Sequence, residues 1–195
     1  MVPEISALIL AAGESKRMGQ PKLLLPWGRT SVLGAVIETF QRAGIEEILV
    51  VTGGAREQIE AVCATYGVRT TYNQDFATGG MLGSIKAGLR AQLPQRGAAL
   101  IGLSDQPQVR EETIRAVCTA HAETGRPLVV PSTRNRRGHP WLAARPIWQE
   151  ILALPTSVTP RQFLAEHAAE IEYVEADESI LLDLDTPEEY ARQRP

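Results

Sequence analysis

Four short apolar runs, set apart by longer amphipathic stretches, constrain this chain more than any other feature. Ile5–Leu10 (ISALIL), Ile48–Thr52 (ILVVT), Ala98–Leu103 (AALIGL) and Leu128–Val130 ahead of Pro131 are continuously apolar rather than alternating. Runs of that kind suit parallel strands covered on both faces. The stretches between them have helical spacing. Val32–Ala43 lines up Val36, Ile37 and Phe40, with Gly44 as its stop. Arg56–Tyr66, Ile85–Gln92 and Arg110–Thr124 follow, the last opening on Glu111 and Glu112 and closing at Gly125. Strand–helix alternation predicts an α/β, Rossmann-like domain with a mostly parallel sheet. In such a sheet the strand C-termini share one edge, where ligands bind. The unusual loops all follow strands: 11–19, 53–54, 73–80 and 104–108.

The last third is less regular. Pro146–Leu154 and Pro160–His167 read as short helices, Ile171–Val174 and Ile180–Leu184 as short strands. Pro187–Gln193 reads as a helix capped by Thr186, with proline in its first turn. No repeat or linker interrupts the chain, so residues 1–195 are expected to form one domain. His121 and His167 read as surface helix residues, and Trp27, Trp141 and Trp148 as core or rim packing.

A net charge of −3 argues against non-specific nucleic-acid binding, and no nucleic-acid partner is expected. Cys63 and Cys118 make no CxxC pair and no zinc spacing; both read as small buried hydrophobes in a reducing compartment. The apolar run from Ile5 to Ala12 is too short for a signal peptide, and nothing approaches the roughly 20 apolar residues of a membrane span. A cytoplasmic protein without a membrane partner is expected.

The richest loop is Leu10-Ala11-Ala12-Gly13-Glu14-Ser15-Lys16-Arg17-Met18-Gly19-Gln20-Pro21-Lys22. Small residues let backbone N–H groups approach an anion, and Lys16, Arg17 and Lys22 add charge suited to a polyphosphate. A solvated basic turn would use the same residues. Glycine spacing excludes a P-loop and a GxGxxG fingerprint. After the third long apolar run stands Ser104-Asp105-Gln106-Pro107, where Asp105 suits Mg²⁺ or, equally, a helix cap or Asx turn. Leu182-Asp183-Leu184-Asp185-Thr186-Pro187-Glu188-Glu189-Tyr190 puts Asp183 and Asp185 on one face if the segment is a strand, where a cation would relieve their repulsion. Arg136-Arg137-Gly138-His139-Pro140, with Arg134 nearby, forms a basic segment. His139 could donate a hydrogen bond to a phosphate, act as acid or base near neutral pH, or only fix a turn.

LAAGESKRMGQPKLLLP resembles the signature of the molybdenum cofactor cytidylyltransferases, and more distantly those of molybdenum cofactor guanylyltransferases and sugar-phosphate nucleotidyltransferases. The resemblance implies a nucleotide-diphospho-sugar transferase type of fold and transfer of a nucleotidyl group from an NTP to a phosphorylated acceptor. It implies that Leu10, Ala11, Ala12 and Gly13 line the nucleotide site and that Arg17 and Lys22 contact phosphates. Asp105, in a Ser-Asp-Gln-Pro variant of G-D-x-P, and Asp185, in D-x-D-T-P-E, would hold Mg²⁺, with Asp183 the weaker ligand. Lys22, Arg17 and Asp105 would then carry the catalysis. Asn73, Gly80, Met81 and Ser84 match the relatives' N-x-x-[WF]-x-x-G-M-x-x-S loop near the nucleotide, and His139 their G-H-P segment beside the acceptor. Leu-Ala-Ala-Gly accompanies CTP in relatives, so CTP is favoured. The acceptor would be molybdopterin, and the downstream partner a molybdoenzyme or its chaperone.

Overall fold

The computed structural model describes residues 5–93 and 95–195. Within them, ten strands and seven helices run in the order β1 (Ile5–Ala11), β2 (Pro26–Trp27), β3 (Thr30–Ser31), α1 (Val32–Arg42), β4 (Glu47–Thr52), α2 (Arg56–Thr65), β5 (Arg69–Tyr72), α3 (Gly80–Ala91), β6 (Ala98–Leu103), α4 (Glu111–Thr124), β7 (Leu128–Thr133), β8 (Arg136–Arg137), β9 (Trp141–Ala144), α5 (Arg145–Ala153), α6 (Pro160–Glu166), β10 (Ile171–Glu175) and α7 (Pro187–Gln193). The main sheet has the order β10-β7-β9-β6-β1-β4-β5, with β8 paired to β7.

The continuous apolar strands sit where their composition demands. β1 lies between β4 and β6, parallel to both. Its alternate residues feed opposite layers: Ala7, Ile9 and Ala11 join the core that packs α1, while Leu8, Leu10 and Ala12 join the one that packs α3. All of these side chains are buried, as expected of a strand with helices on both faces. β5, sequence Arg-Thr-Thr-Tyr, is the half-exposed edge strand beside β4 and carries no apolar run.

The sheet departs from pure parallel order at β8, which pairs antiparallel with β7, and at β9. β9 runs antiparallel to both β6 and β7. Trp141 pairs with Ile101, so β9 begins, rather than ends, near the edge where β1, β4 and β6 finish. The segment 134–140 therefore joins the loops of the ligand edge.

Several sequence expectations shift. β7 continues through Pro131 to Thr133, because proline there needs only its carbonyl, which accepts from Gly138 N–H at 2.9 Å. α3 starts at Gly80, five residues before the expected Ile85. Ile180–Leu184 is not a strand. Glu178–Leu181 forms a 3₁₀ turn capped by Asp177, and Leu182 is 38% exposed. His121 is buried, with Nδ1 on the Arg126 carbonyl, and His167 stacks on Phe163 and pairs with Glu150. Trp141 and Trp148 are core residues, Cys63 is buried and Cys118 is half-buried. No helix among the described residues is long and apolar enough to cross a membrane.

Candidate functional site

The loop after β1 is shaped by its own backbone. Ser15 and Gly19 take left-handed φ values of 53° and 66° around the 3₁₀ turn Lys16–Met18. A second 3₁₀ turn, Lys22–Leu24, follows, and Lys22 N–H donates to Ser15 Oγ at 3.2 Å. The loop thus folds back on itself and carries Lys22 to the C-terminal end of β6. There Lys22 Nζ donates to Asp105 Oδ2 at 2.6 Å and to Asp185 Oδ1 at 3.0 Å, while Arg17 Nη2 lies 2.7 Å from Asp185 Oδ2.

Local chemistry delivers Asp185 to that point. Leu184 is fully buried, and its N–H donates to the Asp105 carbonyl at 3.1 Å. Beyond it, Thr186 and Glu189 form a capping box at the start of α7. Glu189 Oε2 accepts from the Asp185 N–H at 2.9 Å. The Thr-Pro-Glu-Glu string is therefore both a helix start and the clamp that fixes the Asp185 backbone. Asp183 flanks the pair and accepts from Gln106 Nε2 at 2.8 Å; that amide also donates to the Ile180 carbonyl at 3.2 Å.

The electrostatics follow from this crowding. Burial works against the Lys22 ammonium, but Asp105 and then Asp185 outweigh it and hold its pKa above the usual lysine value. Burial likewise works against the Asp185 carboxylate, yet Lys22 and Arg17 keep its pKa below the ordinary range. Asp183 has the opposite fate. Burial, with the charges of Asp105 and Asp185, raises it despite the Gln106 hydrogen bond.

These groups line a cavity of about 460 Å³ at the sheet edge. Of the residues expected in a nucleotide site, Leu10, Ala12, Gly13, Arg17, Lys22, Gly80, Met81, Ser84, Asp105 and Asp185 line it. Ala11 does not, because its side chain points into the opposite core layer. Asn73 is buried behind the wall. Its Oδ1 accepts from Asp75 N–H, and its Nδ2 donates to Ser84 Oγ. Asn73 thus shapes the loop, and Ser84, the fifth residue of α3, is not at the helix start. Gly53 is required nearby, since a Cβ there would sit 2.8 Å from Ala12 Cα and 2.8 Å from Phe76 Cβ. Ser104 Oγ donates to the Leu10 carbonyl at 2.6 Å and ties the ends of β6 and β1 together.

A second cavity of about 1060 Å³ adjoins the first, sharing Gly80 and Met81 with it. His139 lines this one. Its Nε2 is enclosed without a hydrogen-bond partner, and burial lowers its pKa to about 4. Burial favours the neutral imidazole there, which weighs against a role as acid or base near neutral pH. Gly138 before it is obligatory, as a Cβ would meet Ile180 at 2.6 Å. Arg136 and Arg137 reach the cavity, whereas Arg134 pairs with Glu178. Arg137 is anchored by Tyr173, whose hydroxyl accepts from Nε and Nη2 at 3.0 and 2.7 Å. Sequence reasoning missed Tyr173, Thr159 and Arg161 in this wall; they come from β10 and the start of α6, far from any recognisable string.

The carboxylates of Asp105 and Asp185 both lie within hydrogen-bonding distance of one atom, so both reach one point. Hard oxygens from two carboxylates, 19% and 28% exposed, fit Mg²⁺, which takes one or two carboxylates and completes its shell with water and phosphate. Among the described residues no group of three or more His, Cys, Asp or Glu is arranged as a self-sufficient metal cage.

Comparison with known proteins agrees with this architecture. Residues 7–171 match the MobA-like NTP transferase domain, and the chain belongs to that family. It is 29% identical over 189 residues to the molybdenum cofactor cytidylyltransferase of Escherichia coli K12, covering 95% of this chain and 93% of the relative. It is also 29% identical over 203 residues to the nicotine blue oxidoreductase of Paenarthrobacter nicotinovorans, covering 98% and 97%. The solved structure of Rv0371c from Mycobacterium tuberculosis H37Rv has a TM-score of 0.84 at 27% identity, with 97% of each chain covered. The same protein in complex with manganese gives 0.79 at 26%, again over 97% of each chain.

Proposed function

We propose that this chain is a divalent-metal-dependent cytidylyltransferase that moves CMP from CTP to a phosphorylated acceptor, with molybdopterin as the favoured acceptor. The convergence of Asp105 and Asp185 on Lys22 Nζ, in a cavity walled by the loop after β1, carries the reading. The Escherichia coli relative supports CTP and the molybdenum cofactor, and the manganese complex of the Mycobacterium tuberculosis relative supports a divalent ion. The similarity to an oxidoreductase shows that family membership alone does not assign a reaction. Paired carboxylates beside a cationic loop suit phosphoryl chemistry.

In the proposed reaction an acceptor phosphate oxygen attacks the α-phosphorus of CTP. A new P–O–P bond forms, the α–β bridging bond breaks and pyrophosphate leaves with its electron pair. The nucleophile is already anionic, so no general base is needed, and catalysis consists of positioning and charge neutralisation. Arg17, Lys22 and the loop amides bind the β- and γ-phosphates and stabilise the departing pyrophosphate. Asp105 and Asp185 would hold Mg²⁺ or Mn²⁺, which when bound neutralises charge on the α-phosphate. The larger cavity receives the acceptor, whose phosphate reaches the α-phosphorus across the Gly80–Met81 seam.

Pyrophosphate release, measured with each of the four NTPs, Mg²⁺ or Mn²⁺, and molybdopterin with and without molybdenum, tests the assignment. CTP and acceptor together should release pyrophosphate, and neither alone should. Preference for GTP would overturn the base assignment. CTP binding without release for any acceptor would replace the enzyme with a carrier that delivers cofactor to a molybdoenzyme or its chaperone.

A further inference from the structure

We infer that Lys22 is the built-in cation of the acidic pair: its ammonium and a divalent ion are mutually exclusive between Asp105 and Asp185, and an incoming polyphosphate exchanges one for the other. The inference rests on reading that pair as the metal site. Lys22 Nζ contacts Asp105 Oδ2 at 2.6 Å and Asp185 Oδ1 at 3.0 Å. A small divalent ion bonds carboxylate oxygens at about 2.0–2.1 Å, so an ion bridging the two carboxylates needs the gap that Lys22 Nζ fills. Two cations in that gap would repel each other strongly, because the surroundings are partly shielded from water and Lys22 is only 13% exposed.

The exchange requires little movement of the main chain. Lys22 is held at its N–H by Ser15 Oγ, and Leu23 beside it is buried, so only the flexible side chain has to swing. Arg17 makes the parallel contact on Asp185 Oδ2. Both cations line the 460 Å³ cavity in which a polyphosphate would lie. Phosphate oxygens that recruit Lys22 and Arg17 return carboxylate oxygens to the metal. Metal and nucleotide must then favour each other's binding, since each removes the obstacle to the other. A metal ion offered alone meets Asp185 engaged at both oxygens and Asp105 engaged at Oδ2. Lys16, in the same loop, provides the contrast: it pairs with Glu14 at 2.8 Å and is 76% exposed.

The test is a titration of nucleotide-free protein with Mn²⁺, reading the free ion by electron paramagnetic resonance. Lys22→Met should bind Mn²⁺ with a Kd lower than wild type by about tenfold or more, while Lys16→Met, with the same charge change, should stay within about twofold. Adding Asp105→Asn to Lys22→Met should abolish the gain, and Mn²⁺ should raise the melting temperature of Lys22→Met more than that of wild type. If Lys22→Met does not fold, Lys22→Gln serves in the same titration. Equal affinity in wild type and the Lys22 variant overturns the inference, as does a gain that survives Asp105→Asn or appears equally in Lys16→Met. No nucleotide is present, so failure of CTP turnover does not alter what the titration decides. A negative titration, in turn, leaves the transferase assignment standing.

Discussion

In the smaller cavity the cations of the loop after β1 already have carboxylate partners: Lys16 with Glu14, Arg17 with Asp185, and Lys22 with Asp105 and Asp185. Across Met81 the larger cavity is built differently. Arg137 is held by a phenol instead of a carboxylate, and His139 Nε2 is enclosed with no partner at all. A charge-matched cluster keeps its geometry by itself and can be poised for chemistry. The larger wall carries Arg136, Arg137 and Arg161, whose guanidinium groups suit an anionic ligand. On the proposed function, the contrast corresponds to reaction on one side of the seam and acceptor selection on the other.

Substitutions on the two sides should therefore fail in different kinetic constants. The largest effect is expected from Asp105→Ala, which should lower kcat by about a thousandfold, with the acceptor KM little changed. The protein should still fold, because the hydrogen bond that Leu184 makes there is to the Asp105 backbone carbonyl; circular dichroism and steady-state kinetics check both halves. A variant that keeps full turnover would erase the distinction between the cavities. Next, His139→Phe should raise the acceptor KM by about tenfold with kcat nearly kept, because the bulkier ring reshapes the wall of the larger cavity.

His139 also predicts a pH effect on stability. Its folded pKa, about 4, lies below its ordinary 6.5. Above 6.5 the ring is neutral in both states and contributes no pH dependence. Between 6.5 and 4 the unfolded chain takes up the proton first, so stability falls as pH falls. Urea melts at pH 7, 5.5 and 4.5 should show this decline in wild type and a shallower one in His139→Gln. Identical slopes would mean that the imidazole is not shielded. The smallest effect belongs to Tyr173→Phe. Freeing Arg137 should raise the acceptor KM about threefold without altering the CTP KM, since the contact lies at an exposed rim.

Legibility in the sequence followed burial. β1, β4 and β6 are covered on both faces, so their composition alone marks them. β5 has only Thr70 and Thr71 between Arg69 and Tyr72, because an edge strand needs no apolar run. β9 is four residues long and begins directly after Pro140, too short to show a period. Residues 180–184 misled for a physical reason: Ile180 and Leu184 are the buried pair and Leu182 is exposed, so the repeat is four and not the two of a strand. In the site, residues on loops after strands were readable as motifs. Those that depend on where the chain returns, such as Tyr173 and Arg161, were not.

The reversed strand β9 has a consequence for how such a protein can diversify. Because β9 enters the sheet from the ligand edge, the connection from β7 through β8 to His139 is a short reversal with both ends anchored in the sheet. Insertions or deletions at its tip, around Arg134 and Asn135, would remodel the larger chamber while the register of β1 against β4 and β6 stays fixed. On the proposed function the fold is a socket with an exchangeable jaw, in which new acceptors would be recruited without rebuilding the half assigned to the nucleotide.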